Sequence, residues 1–319
     1  MKQKKILEFM SDVILELKTN RQWGTAHIYQ GCYKSFSLFI KGVDIPFDDL
    51  TFALLKDYEI FLRSKQRKWN TVATYMKVLK AVYYRAVDCE VALYVPRLFK
   101  NVRTTPCVEH KKALSAGTIH DILNQSKLLE HQKDSEHQQI RLYFTLMFML
   151  RGISFVDLIY LRKNDLRGNV LCYRRRKTGR QMTVMLTQEA MELIEHLRSK
   201  DARSYYLFPL LTQPEGSEKA YGEYQRVLHR FNRQLSALSK ECFQGVPLTT
   251  YSARHTWATL AYYCEIHPGI ISEAMGHSSI KVTETYLKPF QEERIDHANR
   301  QVIDFCRYLR SNGQDEDDE

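Results

Sequence analysis

The sequence predicts a two-domain, mainly α-helical protein with one small β-hairpin or sheet in its second domain. Three observations predict it. Apolar residues recur at helical spacing along almost the whole chain. That period gives way to strand-like alternation only across residues 169–186. Residues 96–112 are basic, carry two prolines and show no period, so they part the chain into two blocks. A length of 319 residues is enough to fill two cores. The division expected is a helical domain over 1–105, a basic linker over 106–112, and a second domain over 113–319.

The first domain reads as a four-helix unit. Residues 4–18 place Ile6, Phe9, Met10, Val13 and Leu17 on one face. Residues 25–39 turn Ile28, Tyr29, Cys32, Tyr33, Phe36 and Phe39 inward, and Lys41-Gly42 stops them. Pro46 marks a loop. Asp49 or Thr51 then caps a helix over 52–63 that buries Leu54, Leu55, Tyr58 and Leu62. A longer helix from Asn70 or Thr71 to about Val87 has Val72, Met76, Leu79, Val82 and Tyr83 on its apolar stripe. Lys77 and Lys80 share the opposite side and are candidate phosphate contacts.

The second domain opens with Ser115 as N-cap of a helix over 118–128. A polar loop and a strongly apolar core helix, 138–150, follow. A short helix over 154–161 comes next. In the alternating region two β-runs flank Arg174-Arg175-Arg176-Lys177-Thr178-Gly179-Arg180, which reads as a basic hairpin tip. Helices are then expected over 187–198, 218–238, 251–263, 268–275 and 280–287, with a last amphipathic helix over 291–309. Pro268 suits a first helical turn and Gly276 the position past a last one.

A net charge of +10 points to a polyanionic partner, and nucleic acid fits best. Both blocks are basic, while the last five residues, Asp315 to Glu319, are all acidic and form a separate solvated tail. The seven cysteines are odd in number and lack a C-x-x-C pair, which favours reduced thiols in the cytoplasm over disulfides or zinc. No apolar run nears the roughly 18 residues of a membrane span. Apart from that acidic tail no carboxylate cluster is present, nor any H-E-x-x-H or G-x-x-x-x-G-K-[ST] loop, so metal-dependent cleavage and ATP use are disfavoured and no cofactor is expected.

Residues 248–287 read LTTYSARHTWATLAYYCEIHPGIISEAMGHSSIKVTETYL. The stretch around Arg254-His255, the Gly276-His277 pair and the Thr283-x-x-Tyr286 end resemble the C-terminal half of the tyrosine recombinase, or phage integrase, catalytic domain. His277 and Tyr286 are nine residues apart, as in that family. The helical first block is similar to the SAM-like core-binding domain that precedes such catalytic domains. The resemblance implies Tyr286 as nucleophile, Arg254 as a phosphate-binding guanidinium, and His277 as a phosphate hydrogen-bonding group. It implies Lys177, at the hairpin tip, as proton donor to the leaving 5′-oxygen, with Arg174, Arg175, Arg176 and Arg180 as flanking DNA contacts. His255 is expected to be structural.

Two positions depart from the family pattern. An ungapped match sets Ser154 where the first family arginine belongs, and Arg151, three residues earlier and followed by Gly152, is expected to supply that guanidinium. This R-G-x-S-F-V-D form resembles the branch common in Bacteroides-type elements. Tyr251 stands at the usual histidine position of H-x-x-R, where a phenol can donate to phosphate but is a weak base near neutrality. The implied reaction is site-specific DNA strand exchange through a 3′-phosphotyrosyl link, without metal or nucleotide. The implied partners are double-stranded recombination sites of a mobile element, accessory DNA-bending proteins, and three further copies in a tetramer held by the C-terminal helix. Two other readings stay open from the sequence. One is a type IB topoisomerase-like enzyme that religates the same strand. The other is a catalytically weak architectural DNA-binding protein.

Overall fold

The computed structural model describes residues 4–105, 113–127, 136–243, 245–285 and 292–312. The expected linker at 106–112, Tyr286 and the acidic tail lie outside the described residues. The first domain is built from α1 (Ile6–Thr19), α2 (Trp23–Phe39), α3 (Phe52–Ser64) and α4 (Trp69–Asp88). Their stripes meet in one core that buries Met10, Cys32, Phe36, Leu55, Tyr58, Met76, Leu79 and Tyr83. Phe36 sets its ring edge-on to Tyr58 at 5.2 Å, and the Tyr58 hydroxyl donates to Ser35 Oγ at 2.9 Å, so the buried phenol is satisfied. Thr51 caps α3 by accepting from the Leu54 amide.

Two details differ from the sequence expectation. Ile28, expected inward, is 44% exposed, because the inward stripe of α2 runs through Ala26, Cys32 and Phe36 and leaves it at the margin. Leu98, Phe99 and Val102 are buried in the first core, so the start of the basic stretch packs there instead of bridging freely.

The second domain follows with α5 (Ala116–Lys127), α6 (Glu136–Met149) and α7 (Phe155–Ile159). Next come β1 (Leu166–Arg167), β2 (Val170–Arg174), β3 (Gln181–Met185), α8 (Gln188–Leu197) and α9 (Glu218–Cys242). The chain continues through α10 (Thr250–Tyr263), α11 (Pro268–Ala274), α12 (Ile280–Glu284) and α13 (Glu292–Asn312). Helix α6 is buried all round from Leu142 to Met147 because it is the axis of the domain; α5, α8, α9 and α10 surround it. Side-chain caps start several of the others: Ser154 for α7, Thr187 for α8 and Ser217 for α9. The strands form an antiparallel sheet in the order β1-β2-β3, with Cys172 opposite Thr183 and Arg174 opposite Gln181. Leu171, Tyr173, Met182 and Val184 face the core, as the period of two requires. The two-residue strand β1 was too short to register as a period.

The two domains touch at the start of α9. The Trp23 indole donates to the Gly216 carbonyl at 3.0 Å, Lys18 pairs with Glu218 at 2.9 Å, and the rings of His27 and Tyr221 lie 6.1 Å apart. At the other end, the described side chains of α13 from residue 296 to 307 are all exposed, including Val302, Ile303 and Phe305. Among the described residues no helix is long and apolar enough to cross a membrane.

Candidate active site

The site forms where α10 meets the end of α6, the turn after α11 and the β2–β3 hairpin. A reciprocal cap between Thr249 and Ser252 starts α10 and sets Arg254 one turn inside it. Arg254 is only 4% exposed, and a buried guanidinium needs acceptors. It donates to the Gly152 carbonyl at 2.9 Å, to the Met275 carbonyl at 2.7 Å and to His277 Nε2 at 2.8 Å. One residue of α10 thus binds two other segments far apart in sequence, at Gly152 and at Met275–His277.

Gly152 allows the first of these contacts. Its φ is +66°, and an added Cβ would stand 2.7 Å from the Arg254 Cα. Arg151, just before it, also adopts a left-handed conformation with φ +57°. The pair of left-handed residues ends α6 abruptly and carries Arg151 to the sheet, where its Nη1 donates to the Thr183 carbonyl at 3.3 Å. Burial pushes the Tyr173 hydroxyl upward and Asp157 adds to the rise, while Arg254, Arg175 and Arg151 all pull against it. Three guanidinium groups therefore stand close to one buried phenol.

His277 is also buried, and its Nδ1 lies 2.8 Å from Thr283 Oγ1. Its pKa is pushed down to about 3, first by burial and then by the charges of Arg254, Arg175 and Lys177. The ring is neutral at physiological pH. The preceding Gly276 has φ +63°, and an added Cβ would meet Met182 Sδ at 2.6 Å, so the hairpin rests directly on this turn.

The hairpin tip is tied to the same turn by hydrogen bonds. Arg175 Nη1 and Thr178 Oγ1 both donate to the Gly276 carbonyl. Arg180 donates to the His277 carbonyl at 3.4 Å and pairs with Glu273 at 2.9 Å. Lys177 is exposed at the tip between these anchors.

The other expected DNA contacts divide. Arg174 is exposed. Arg175 is buried, not groove-facing: its Nε lies 3.8 Å from buried Asp157, whose other contacts are the Arg176 amide and Ser154 Oγ. Arg176 stacks over the Tyr160 ring at 3.9 Å and pairs with Glu215 at 2.5 Å. Sequence reasoning missed Asp157 and Thr283 as site-building groups. The signal for Asp157 was a carboxylate within the apolar run Phe155-Val156-Asp157-Leu158-Ile159, which calls for a buried partner.

Ser154, at the ungapped place of the first family arginine, is the N-cap of α7. Tyr251, in the first turn of α10, is 41% exposed. His255 is buried with Nδ1 3.3 Å from Thr259 Oγ1, the structural position expected. In the first domain Lys77 is exposed, and Lys80 lines an open hollow of about 550 Å³ with Arg97, Lys100 and Arg103. No group of three or more potential metal ligands occurs among the described residues.

The model described as the phage integrase family matches residues 118–293, and that described as the phage integrase SAM-like domain matches residues 5–97. The chain belongs to the phage integrase family. Its enzyme class is that of the site-specific tyrosine recombinases. No curated protein matches it in sequence. The fold is similar to that of the Tn1549 transposon integrase in complex with transposon right-end DNA, at 14% identity and TM-score 0.63 over 94% of this chain and all of that one. It is also similar to a lambda integrase dimer bound to a COC′ core site, at 16% identity and TM-score 0.59 over 87% of this chain and 75% of that one. A lambda integrase tetramer bound to a Holliday junction gives TM-score 0.57 at 16% identity over 86% and 77%.

Proposed function

We propose that this recombinase cuts and rejoins duplex DNA with Tyr286 as nucleophile and Arg254, His277, Lys177 and Arg151 around the scissile phosphate. Tyr286 gives up its proton to solvent and its oxygen bonds to phosphorus, the bond to the 5′-oxygen breaks, and Lys177 gives that oxygen a proton, which it regains from the attacking 5′-hydroxyl in the rejoining step. The 5′-hydroxyl of a partner strand then attacks the 3′-phosphotyrosyl link and releases Tyr286. The phosphoryl bond is conserved throughout, so strand joining needs no nucleotide. A free tyrosine is ionised to only about one part in a thousand at neutral pH, and nearby cations favour the phenolate. The observation that carries this reading is the buried hydrogen bond joining Arg254 to His277, with the Lys177 hairpin pinned to the same turn.

Duplex DNA is the substrate partner, as in the relatives solved on DNA. Lambda integrase forms a tetramer on a junction, and the exposed apolar side of α13 supports exchange of this helix between copies here. Lys80→Ala should weaken binding by a similar factor on all sequences and lower the slope of log affinity against log salt by about 1, measured by fluorescence anisotropy.

The test of the function uses nicked duplexes tiled across the DNA flanking the gene. The full chain should give a protease-sensitive adduct on at least one duplex after denaturation, and Tyr286→Phe should give none. Tight binding to a duplex without any adduct would mark an architectural protein. Relaxation of a supercoiled plasmid without a recombination site would mark the topoisomerase-like chemistry.

A further inference from the structure

Both ring nitrogens of His277 are engaged, and their partners fix its hydrogen. Arg254 Nη2 can only donate, so Nε2 must accept. The neutral ring then carries its hydrogen on Nδ1 and donates it to Thr283 Oγ1 at 2.8 Å. In this resting form His277 has no hydrogen on the side that faces Arg254. A phosphate oxygen arriving there needs a donor.

We propose that Thr283 is a positioning residue that reverses the hydrogen-bonding sense of His277 when a phosphate enters the site. On entry Arg254 turns its Nη2–H to the phosphate. Nε2 takes a proton from a water that enters with the DNA, the Nδ1 proton passes to the Thr283 oxygen as the Thr283 hydroxyl proton returns to the hydroxide so formed, and the ring keeps its charge. The Thr283 hydroxyl thereby turns from acceptor to donor and satisfies the bared Nδ1. A hydroxyl serves both senses, whereas a carboxylate only accepts and a methyl does neither. Thr283 is fully buried, so water does not take its place. Arg254, Arg175 and Lys177 all lie near enough to oppose a charged imidazole. A neutral ring that switches tautomer is the arrangement these three cations favour. Thr283 also stands three residues before Tyr286, so the orienting group and the nucleophile share one short segment.

The inference rests on the recombinase reading, but its first arm needs no DNA. In full-length protein labelled with ¹⁵N-histidine, the His277 signals, assigned by their loss in His277→Gln, should show a protonated Nδ1 and a bare Nε2. The opposite tautomer in the free protein overturns the proposal. On adding an arbitrary 24-base-pair duplex at low salt, the hydrogen should move to Nε2. A ring protonated on both nitrogens, or unchanged, overturns the reversal. Thr283→Val should slow adduct formation on the order of 10–100-fold, the loss typical when a histidine is deprived of its orienting partner, at unchanged DNA affinity. Thr283→Ser, which keeps the hydroxyl, should recover most of the rate. If Ser is as slow as Val at equal melting temperature, or if Val is as fast as wild type, Thr283 is not the switch. Absence of any adduct from wild type sinks the recombinase reading alone, and the two spectra still decide the tautomer.

Discussion

Arg254→Ala will bind duplex DNA yet form the covalent adduct on the order of 10³-fold more slowly than wild type, the upper range for losing one transition-state donor. The effect is large because this side chain has two tasks. Its buried guanidinium is the group proposed to hold the phosphate, and it also gathers the Gly152 carbonyl, the Met275 carbonyl and His277 around itself. Removing it leaves buried acceptors unpaired, at about 1–3 kcal/mol each. The variant should therefore melt lower, and adduct rates must be compared well below that temperature. Arg254→Lys should recover little, since an ammonium cannot span three divergent acceptors as a planar fork does. An Arg254→Ala protein that reaches wild-type adduct yield at wild-type rate removes Arg254 from the site.

Gly152→Ala should be nearly as damaging, although the residue has no side chain to react. The added methyl would sit 2.7 Å from the Arg254 Cα, and that neighbour is backbone of α10, which cannot swing aside. The left-handed φ of +66° adds about 1–2 kcal/mol of strain for any other residue. Forcing α10 away displaces Arg254 from its carbonyls, and a 1 Å misplacement of a reacting group costs about 10²-fold. Gly168→Ala is the control. It has a similar φ of +58° but nothing within 4 Å of the added methyl, so it carries the strain without the clash. Thermal unfolding and adduct kinetics separate the two: Gly168→Ala should lose some stability and keep its rate, and Gly152→Ala should lose both. Equal behaviour of the two alanines would remove the packing of α6 against α10 from the account.

Most of the helices were legible because they bury a face or open with a cap, as at Thr51, Ser154 and Thr187. The hairpin was legible because its residues alternate. Arg254 and His277 were singled out by a resemblance in motif and spacing, and Lys177 by its place at the hairpin tip; the structure brings Arg254 and His277 together and ties the hairpin to the same turn. What could not be read was direction. Arg174, Arg175 and Arg176 are adjacent and alike in sequence, yet Arg174 is exposed, Arg175 is buried beside Asp157 and Arg176 stacks on Tyr160. That outcome depends on which way a strand end faces a short helix, a tertiary fact without a local signal. The same holds for Trp23, whose carbonyl partner Gly216 is far along the chain, and for Thr283, whose role depends on the ring it meets.

The identity of the residue linked to DNA decides whether Tyr286 is the nucleophile. The adduct formed on a nicked duplex is digested with nuclease and trypsin, and the modified peptide is fragmented in a mass spectrometer. One nucleotide-bearing residue is expected, Tyr286, joined through its oxygen to a 3′-phosphate. Nucleotide on any other tyrosine, or a 5′-phosphate at the link, would contradict that assignment.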